Sequence, residues 1–134
     1  MLLTIHPKDP ETRKIQQAVD LLNSGGVLVC PTDTVYAFVC SAEQSRAIEE
    51  VARLKGVKPQ KADLSLICRD LSELSNYARA VPTSAFRIMK AALPGPYTFI
   101  LPASNEIPRI FKNNKRTVGI RVPDHPVPQA LVAL

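Results

Sequence analysis

Histidine and cysteine are scarce in this 134-residue chain, and their spacing removes several chemistries at once. Only His6 and His125 are present, too few for a histidine-built metal site. Cys30, Cys40 and Cys68 are odd in number, sit among apolar neighbours and form no Cys-x-x-Cys pair, so reduced, buried thiols are expected in place of a zinc site or a disulfide framework. The few glycines form neither Gly-x-x-x-x-Gly-Lys nor Gly-x-Gly-x-x-Gly, which leaves any nucleotide to be held by side chains and irregular loops. The scattered serines and histidines support no Ser/His/Asp or Cys/His arrangement, so no covalent catalyst and no metal ligand is assigned. No window approaches about eighteen consecutive apolar residues, and residues 1–7 lack a basic leader with a long apolar stretch. No membrane partner and a cytoplasmic location are therefore expected.

What is present suits a soluble globular chain: 46% of residues are hydrophobic and 22% charged, and the length fits one domain with a real core. Lysine and arginine number 17 against 12 acids, and the resulting +5 favours anionic partners such as nucleotides or RNA.

The chain is organised around residues 25–36. Four apolar residues after Gly25-Gly26 predict a short buried strand, and Pro31, which has no amide donor, ends its ladder. Thr32, Asp33 and Thr34 then cluster at the strand's tip. In an extended chain Thr32, Thr34 and Tyr36 point to one side and could hold a ligand; a turn whose hydroxyls and carboxylate bond their own backbone is the competing reading.

Residues 1–10 read as a strand and a turn. A helix from near Glu11 follows from Ile15, Ala18, Val19 and Leu22 at i, i+3, i+4 and i+7, with Gly25-Gly26 as its stop. Ser41 and Gln44 have the form of a capping box before a second helix over about 43–54. Residues 64–68 read as a strand, Asp70 begins a short helix, Ala85 to Ala92 mark another helix, and Tyr97 to Leu101 a strand. Ile107 to Phe111 suggest one helical turn, Lys112 to Arg116 a basic turn, and Val127 to Leu134 a terminal helix. In the strand 117–122, alternation puts Val118, Ile120 and Val122 on the core face and Thr117, Gly119 and Arg121 on the other, where the missing side chain at Gly119 offers a ligand close approach to the backbone. Strands alternating with helices predict an α/β fold with a mixed, twisted sheet.

The polar inventory is a set of cations, Lys55, Lys58, Lys61, Arg116 and Arg121, with the hydroxyls Thr32, Thr34 and Thr117. It suits a transition state that gathers negative charge on phosphate, although the lysines also read as an ordinary solvated loop. Arg121, opposite three core-facing residues, needs either a ligand or a salt bridge to one of the acids.

Five ordered stretches resemble the YrdC/YciO family of threonylcarbamoyl-AMP synthases and their relatives: Pro31-Thr32-Asp33-Thr34-Val35-Tyr36, Lys55-Gly56-Val57-Lys58-Pro59, the run from Cys68 to Leu74, the run from Pro94 to Leu101, and the run from Val118 to Pro126. The Cys68 to Leu74 run, and Ala37 where the synthases usually carry Gly, are more similar to the YciO-like branch. The resemblance implies a YrdC/RibB-like α/β fold, a twisted mixed sheet with helices around a basic cavity. It implies a nucleotidyltransferase that joins L-threonine, bicarbonate and ATP, with Mg2+, into threonylcarbamoyl-AMP for tRNA modification. By the same likeness Thr34 contacts threonine and Arg121 its carboxylate, Lys55 and Lys58 face the triphosphate, and Thr117 the nucleotide. The alternative it carries is a module of the same fold that binds double-stranded RNA or tRNA without synthase activity. Lys58 stands where the synthases have Arg, which exchanges a planar fork for a point charge. The family's Ser-x-Asn motif, due soon after Pro123-Asp124-His125-Pro126, is not reached by Leu134, so an incomplete domain is expected.

Overall fold

A computed structural model describes residues 2–59, 63–105 and 116–133. The elements run α1 (Thr12–Asn23), β1 (Leu28–Cys30), β2 (Ala37–Val39), α2 (Ser45–Leu54), β3 (Ser65–Ile67), α3 (Leu74–Tyr77), α4 (Thr83–Ala92), β4 (Thr98–Pro102), β5 (Thr117–Arg121) and α5 (Pro126–Ala133). The architecture is the expected mixed α/β one, but its strands divide into two sheets. Strands β1 and β2 form an antiparallel pair, and β5 lies between β3, to which it is parallel, and β4, to which it is antiparallel. Lys61 and the segment from Ile107 to Lys115, with its predicted helical and basic turns, fall outside the described residues. Among the described residues no helix is long and apolar enough to cross a membrane.

The alternation in β5 decides how its sheet is dressed. Val118, Ile120 and Val122 are 1%, 0% and 3% exposed, and they join Cys68, Leu74, Met89 and Leu101 in one core. Burying a side chain such as Ile120 contributes about 1.5–3 kcal/mol, so a register slip that turned this row outward would be heavily disfavoured. A second core joins Ile15 and Val19 of α1 to Cys30 and Val127, where α1 packs on α5.

Helix ends show which sequence signals were used. After α1 the Gly25 amide donates to the Leu22 carbonyl and the Gly26 amide to the Leu21 carbonyl, a Schellman closure that the left-handed φ of +94° at Gly25 makes possible. Helix α2 ends the same way, with Gly56 at φ +73°.

Four expectations are corrected. Residues 2–6 form no strand: the His6 Nδ1 accepts from the amides of Lys8 and Asp9 and folds this segment into a turn. The Ser41/Gln44 capping box is not made, because the Gln44 side chain donates instead to the Asn23 carbonyl at 2.8 Å and ties the end of α1 to the start of α2. Asp70 does not begin a helix; its carboxylate accepts from the Ser72 amide and hydroxyl in a turn, and α3 starts at Leu74. Gly119 opens no gap for a ligand, since a Cβ there would meet Ser65 Oγ at 2.8 Å and Thr98 Cγ2 at 3.1 Å: neighbouring strands already fill the space.

Candidate functional site

Between the two sheets lies a cleft of about 530 Å³. One wall is the β1–β2 pair, with Cys30, Ala37, Phe38 and Val39; the other is the face of the three-stranded sheet that carries Ser65, Ile67, Thr98 and Arg121. The ends of α1 and α2, with Lys55, and the apolar side of α5 complete it. The lining is apolar with a few converging polar groups, the usual composition of a small-molecule site.

Its polar centre forms where the tip after β1 meets the end of β5. Pro31 ends β1, and residues 32–35 bend instead of continuing as a strand. The bend is held by Thr32, whose buried hydroxyl donates to the Val35 carbonyl at 2.6 Å and accepts from the Thr34 amide at 3.1 Å. The local turn reading is therefore right for Thr32, and the one-sided extended row of Thr32, Thr34 and Tyr36 is not formed. Asp33 is released from that turn to reach across the molecule. Its Oδ1 accepts from Arg121 Nη2 at 2.7 Å and its Oδ2 from the Asp124 amide at 3.0 Å.

Arg121 Nη2 also donates to Thr34 Oγ1 at 3.0 Å and lies 3.4 Å from Thr32 Oγ1. All of these contacts use one nitrogen. Nε and Nη1 have no acceptor among the described residues, although the side chain lines the cleft. The Arg121 and Asp33 side chains are only 17% and 10% exposed, so water screens the pair weakly. Burial pushes the Asp33 carboxyl up, but the Asp124 amide and the Arg121 guanidinium together outweigh it and hold the group below the ordinary carboxylate range. Asp33 is thus ionised at neutral pH, and Arg121 is compensated yet retains two donor nitrogens.

The predicted site residues are only partly assembled. Arg121 and Thr34 meet directly, although Thr34 is exposed and is not part of the lining. Lys55, the C-cap of α2, lines the cleft from another wall. Lys58 is exposed beyond the Schellman turn and is not part of the lining. Thr117 pairs with Pro102 at the far end of β5, about 13 Å from Arg121 along the strand, and is also outside the lining. Sequence reasoning missed Asp33 as the partner of Arg121, and missed Ser65, Thr98 and Asp63 in the walls. Asp33 stood in the very motif singled out, but nothing local reveals a contact across 88 positions.

The cysteines add no second centre. Cys30, Cys40 and Cys68 are free thiols; burial pushes Cys30 and Cys68 up to about 11, Cys68 with help from the negative charges of Glu73 and Asp70, and raises Cys40 as well. Among the described residues no three His, Cys, Asp or Glu side chains group as a metal site.

Known proteins resemble this chain in both sequence and structure. A family model for Sua5, YciO and YrdC proteins, described as "Telomere recombination", matches residues 20–134. "Uncharacterized protein YciO" of Escherichia coli K12 is 46% identical over 129 residues, which cover 96% of this chain and 62% of that protein. Its crystal structure superposes with a TM-score of 0.89. A threonylcarbamoyl-AMP synthase of Halorhodospira halophila is 34% identical over 124 residues, covering 91% of this chain and 64% of the synthase. P. abyssi Sua5, solved in complex with L-threonine, is 27% identical with a TM-score of 0.87, and the match covers 99% of this chain and 39% of Sua5. The chain thus spans less than two thirds of the length of these relatives. With the family model matching residues 20–134 and the sequence and structural likeness at this level, the chain belongs to the Sua5/YciO/YrdC family.

Proposed function

We propose that the cleft binds L-threonine and that the chain acts in threonylcarbamoyl-AMP synthesis. The observation that carries this is Arg121: one nitrogen is locked onto Asp33, Thr34 and Thr32, and two more have no acceptor among the described residues of a cleft-lining side chain. Open N–H donors on a charged, cleft-lining guanidinium suit an anionic group such as a carboxylate. Support comes from the structural likeness to P. abyssi Sua5 with L-threonine and from the named synthases at about one third identity.

On this reading the threonine carboxylate pairs with Arg121, and the Thr34 hydroxyl contacts the same amino acid. The amino group condenses with bicarbonate to a carbamate, with loss of water. A carbamate oxygen then attacks the α-phosphorus of ATP, forming one P–O bond as the bond to pyrophosphate breaks. Lys55, on another wall, lowers the cost of bringing the triphosphate beside a second anion. Magnesium enters as the nucleotide's counter-ion, held chiefly by phosphate oxygens, as is usual for this metal. Alignment of two bound anions is then the protein's main contribution.

The test is mass-spectrometric detection of threonylcarbamoyl-AMP after incubation with threonine, bicarbonate, ATP and magnesium. Product that vanishes when threonine is omitted, and in Arg121→Ala, is expected. Absence of product together with absence of threonine binding overturns the reading.

A further inference from the structure

Asp33 is the buried acid for which the reaction above has no use. Its two oxygens are both committed, Oδ1 to Arg121 Nη2 at 2.7 Å and Oδ2 to the Asp124 amide at 3.0 Å. One side chain therefore fastens three segments: the tip after β1, the end of β5 and the turn that leads into α5. The Arg121 contacts from the tip all fall on Nη2, which consumes that nitrogen and leaves the Nε and Nη1 donors without an acceptor among the described residues. A free arginine side chain would populate many rotamers, so a partner that fixes one of them removes an entropic cost of ligand binding.

We propose that Asp33 is a positioning residue that orients Arg121 for a ligand carboxylate. It touches no substrate; it acts by holding Nη2, which fixes the plane of the guanidinium and leaves Nη1 and Nε each able to donate singly to a ligand. Thr34 and Thr32 are weaker substitutes because a hydroxyl carries no charge to oppose the guanidinium. The Asp124 amide matters for the same reason: it holds the second oxygen and stops the carboxylate from turning to take both arginine nitrogens in a bidentate grip, which would consume the donors a ligand needs.

This inference rests on the reading of the cleft as a threonine site, and one pair of measurements separates the two. The first is the side-chain 15N signal of Arg121 without ligand, where hindered rotation about the Cζ–Nη2 bond reports the contact with Asp33. The second is calorimetric binding of L-threonine and of L-threoninamide, which lacks the carboxylate. Asp33→Asn keeps the shape and removes the charge, and Asp33→Glu keeps the charge; thermal melting shows that each is folded. In the wild type a hindered Arg121 signal is expected, with threonine bound and threoninamide not. In Asp33→Asn the signal should average, and threonine affinity should fall about ten- to a hundredfold, the scale of a lost hydrogen bond to a charged group. Partial recovery of both in Asp33→Glu supports a charge-based role. An Arg121 signal and an affinity unchanged in folded Asp33→Asn overturn the proposal. If neither protein binds threonine while the Arg121 signal still collapses in Asp33→Asn, the positioning role stands and the threonine reading falls.

Discussion

Removing Arg121 should destabilise the protein by an amount that depends on pH in a specified direction. Arg121→Ala leaves the Asp33 carboxylate, 10% exposed, with the Asp124 amide as its remaining strong partner. Stranding one member of a buried ion pair costs about 3–5 kcal/mol, and the residual solvent contact of this pair places the expected loss nearer 2–3 kcal/mol at pH 7. The Asp33 pKa is depressed in the folded wild type, so its contribution is fully present above the unfolded value near 4 and is lost as pH falls through the lower folded value. In the variant, burial is opposed by the amide without the guanidinium, and protonation relieves the stranded charge at a higher pH. The stability gap should therefore be widest at neutral pH and close in acid. Urea unfolding followed by circular dichroism from pH 7 to pH 3 at constant ionic strength reads it directly. With a slope of about 1–3 kcal/mol per molar urea, the midpoint should shift by about 0.7–3 M at pH 7. A gap that stays constant across this range, or one below about 0.5 kcal/mol at pH 7, would refute the account of Asp33 and Arg121 as a coupled, poorly screened pair.

Other outcomes can be checked with the same material. Arg53→Ala removes an ion pair with Glu50 whose side chains are 69% and 43% exposed, and the urea midpoint should not move measurably. Gly26→Ala should cost about 3 kcal/mol, because its Cβ would lie 2.8 Å from the Leu21 carbonyl oxygen that the Gly26 amide already uses, whereas Gly56→Ala meets no atom within 4 Å and should cost about 1 kcal/mol for its left-handed backbone; unfolding curves showing the reverse order would contradict this. Iodoacetamide at pH 8, followed by peptide mapping, should label half-buried Cys40 before buried Cys30 and Cys68, and saturating ligand should slow that labelling because Cys40 lines the cleft.

How far the sequence could be read is clearest along β5. Its period-2 pattern identified the core row Val118, Ile120 and Val122, and the helical spacing from Ile15 to Val19 found the buried side of α1, because both signals arise within a few residues. What the sequence hid depends on distant placement. The strand pattern cannot say that β1 and β2 form a pair of their own, or that Ser65 and Thr98 crowd Gly119 from the flanking strands. The capping-box signature at Ser41 and Gln44 is real as a local preference, yet the Asn23 carbonyl left at the end of α1 competes for the Gln44 amide. Arg121 was expected to need a partner or a ligand; it has the partner, and the unmade donors keep room for the other.

The position of β5 also bears on how the protein is made. Among the described residues it is the last strand and the middle one in its sheet, so β3 and β4 have no common neighbour until residues 117–121 are synthesised. About fifty residues separate the end of β3 from that point, a delay on the order of several seconds at usual elongation rates. Through that interval the β3 edge stands open, joined by that of β4 once residues 98–102 are made, a recognised route to misassociation in crowded cells. The same insertion delivers Arg121 to Asp33, so the polar centre of the cleft forms only when its sheet closes, and a nascent chain exposes unpaired strands before it can hold a ligand.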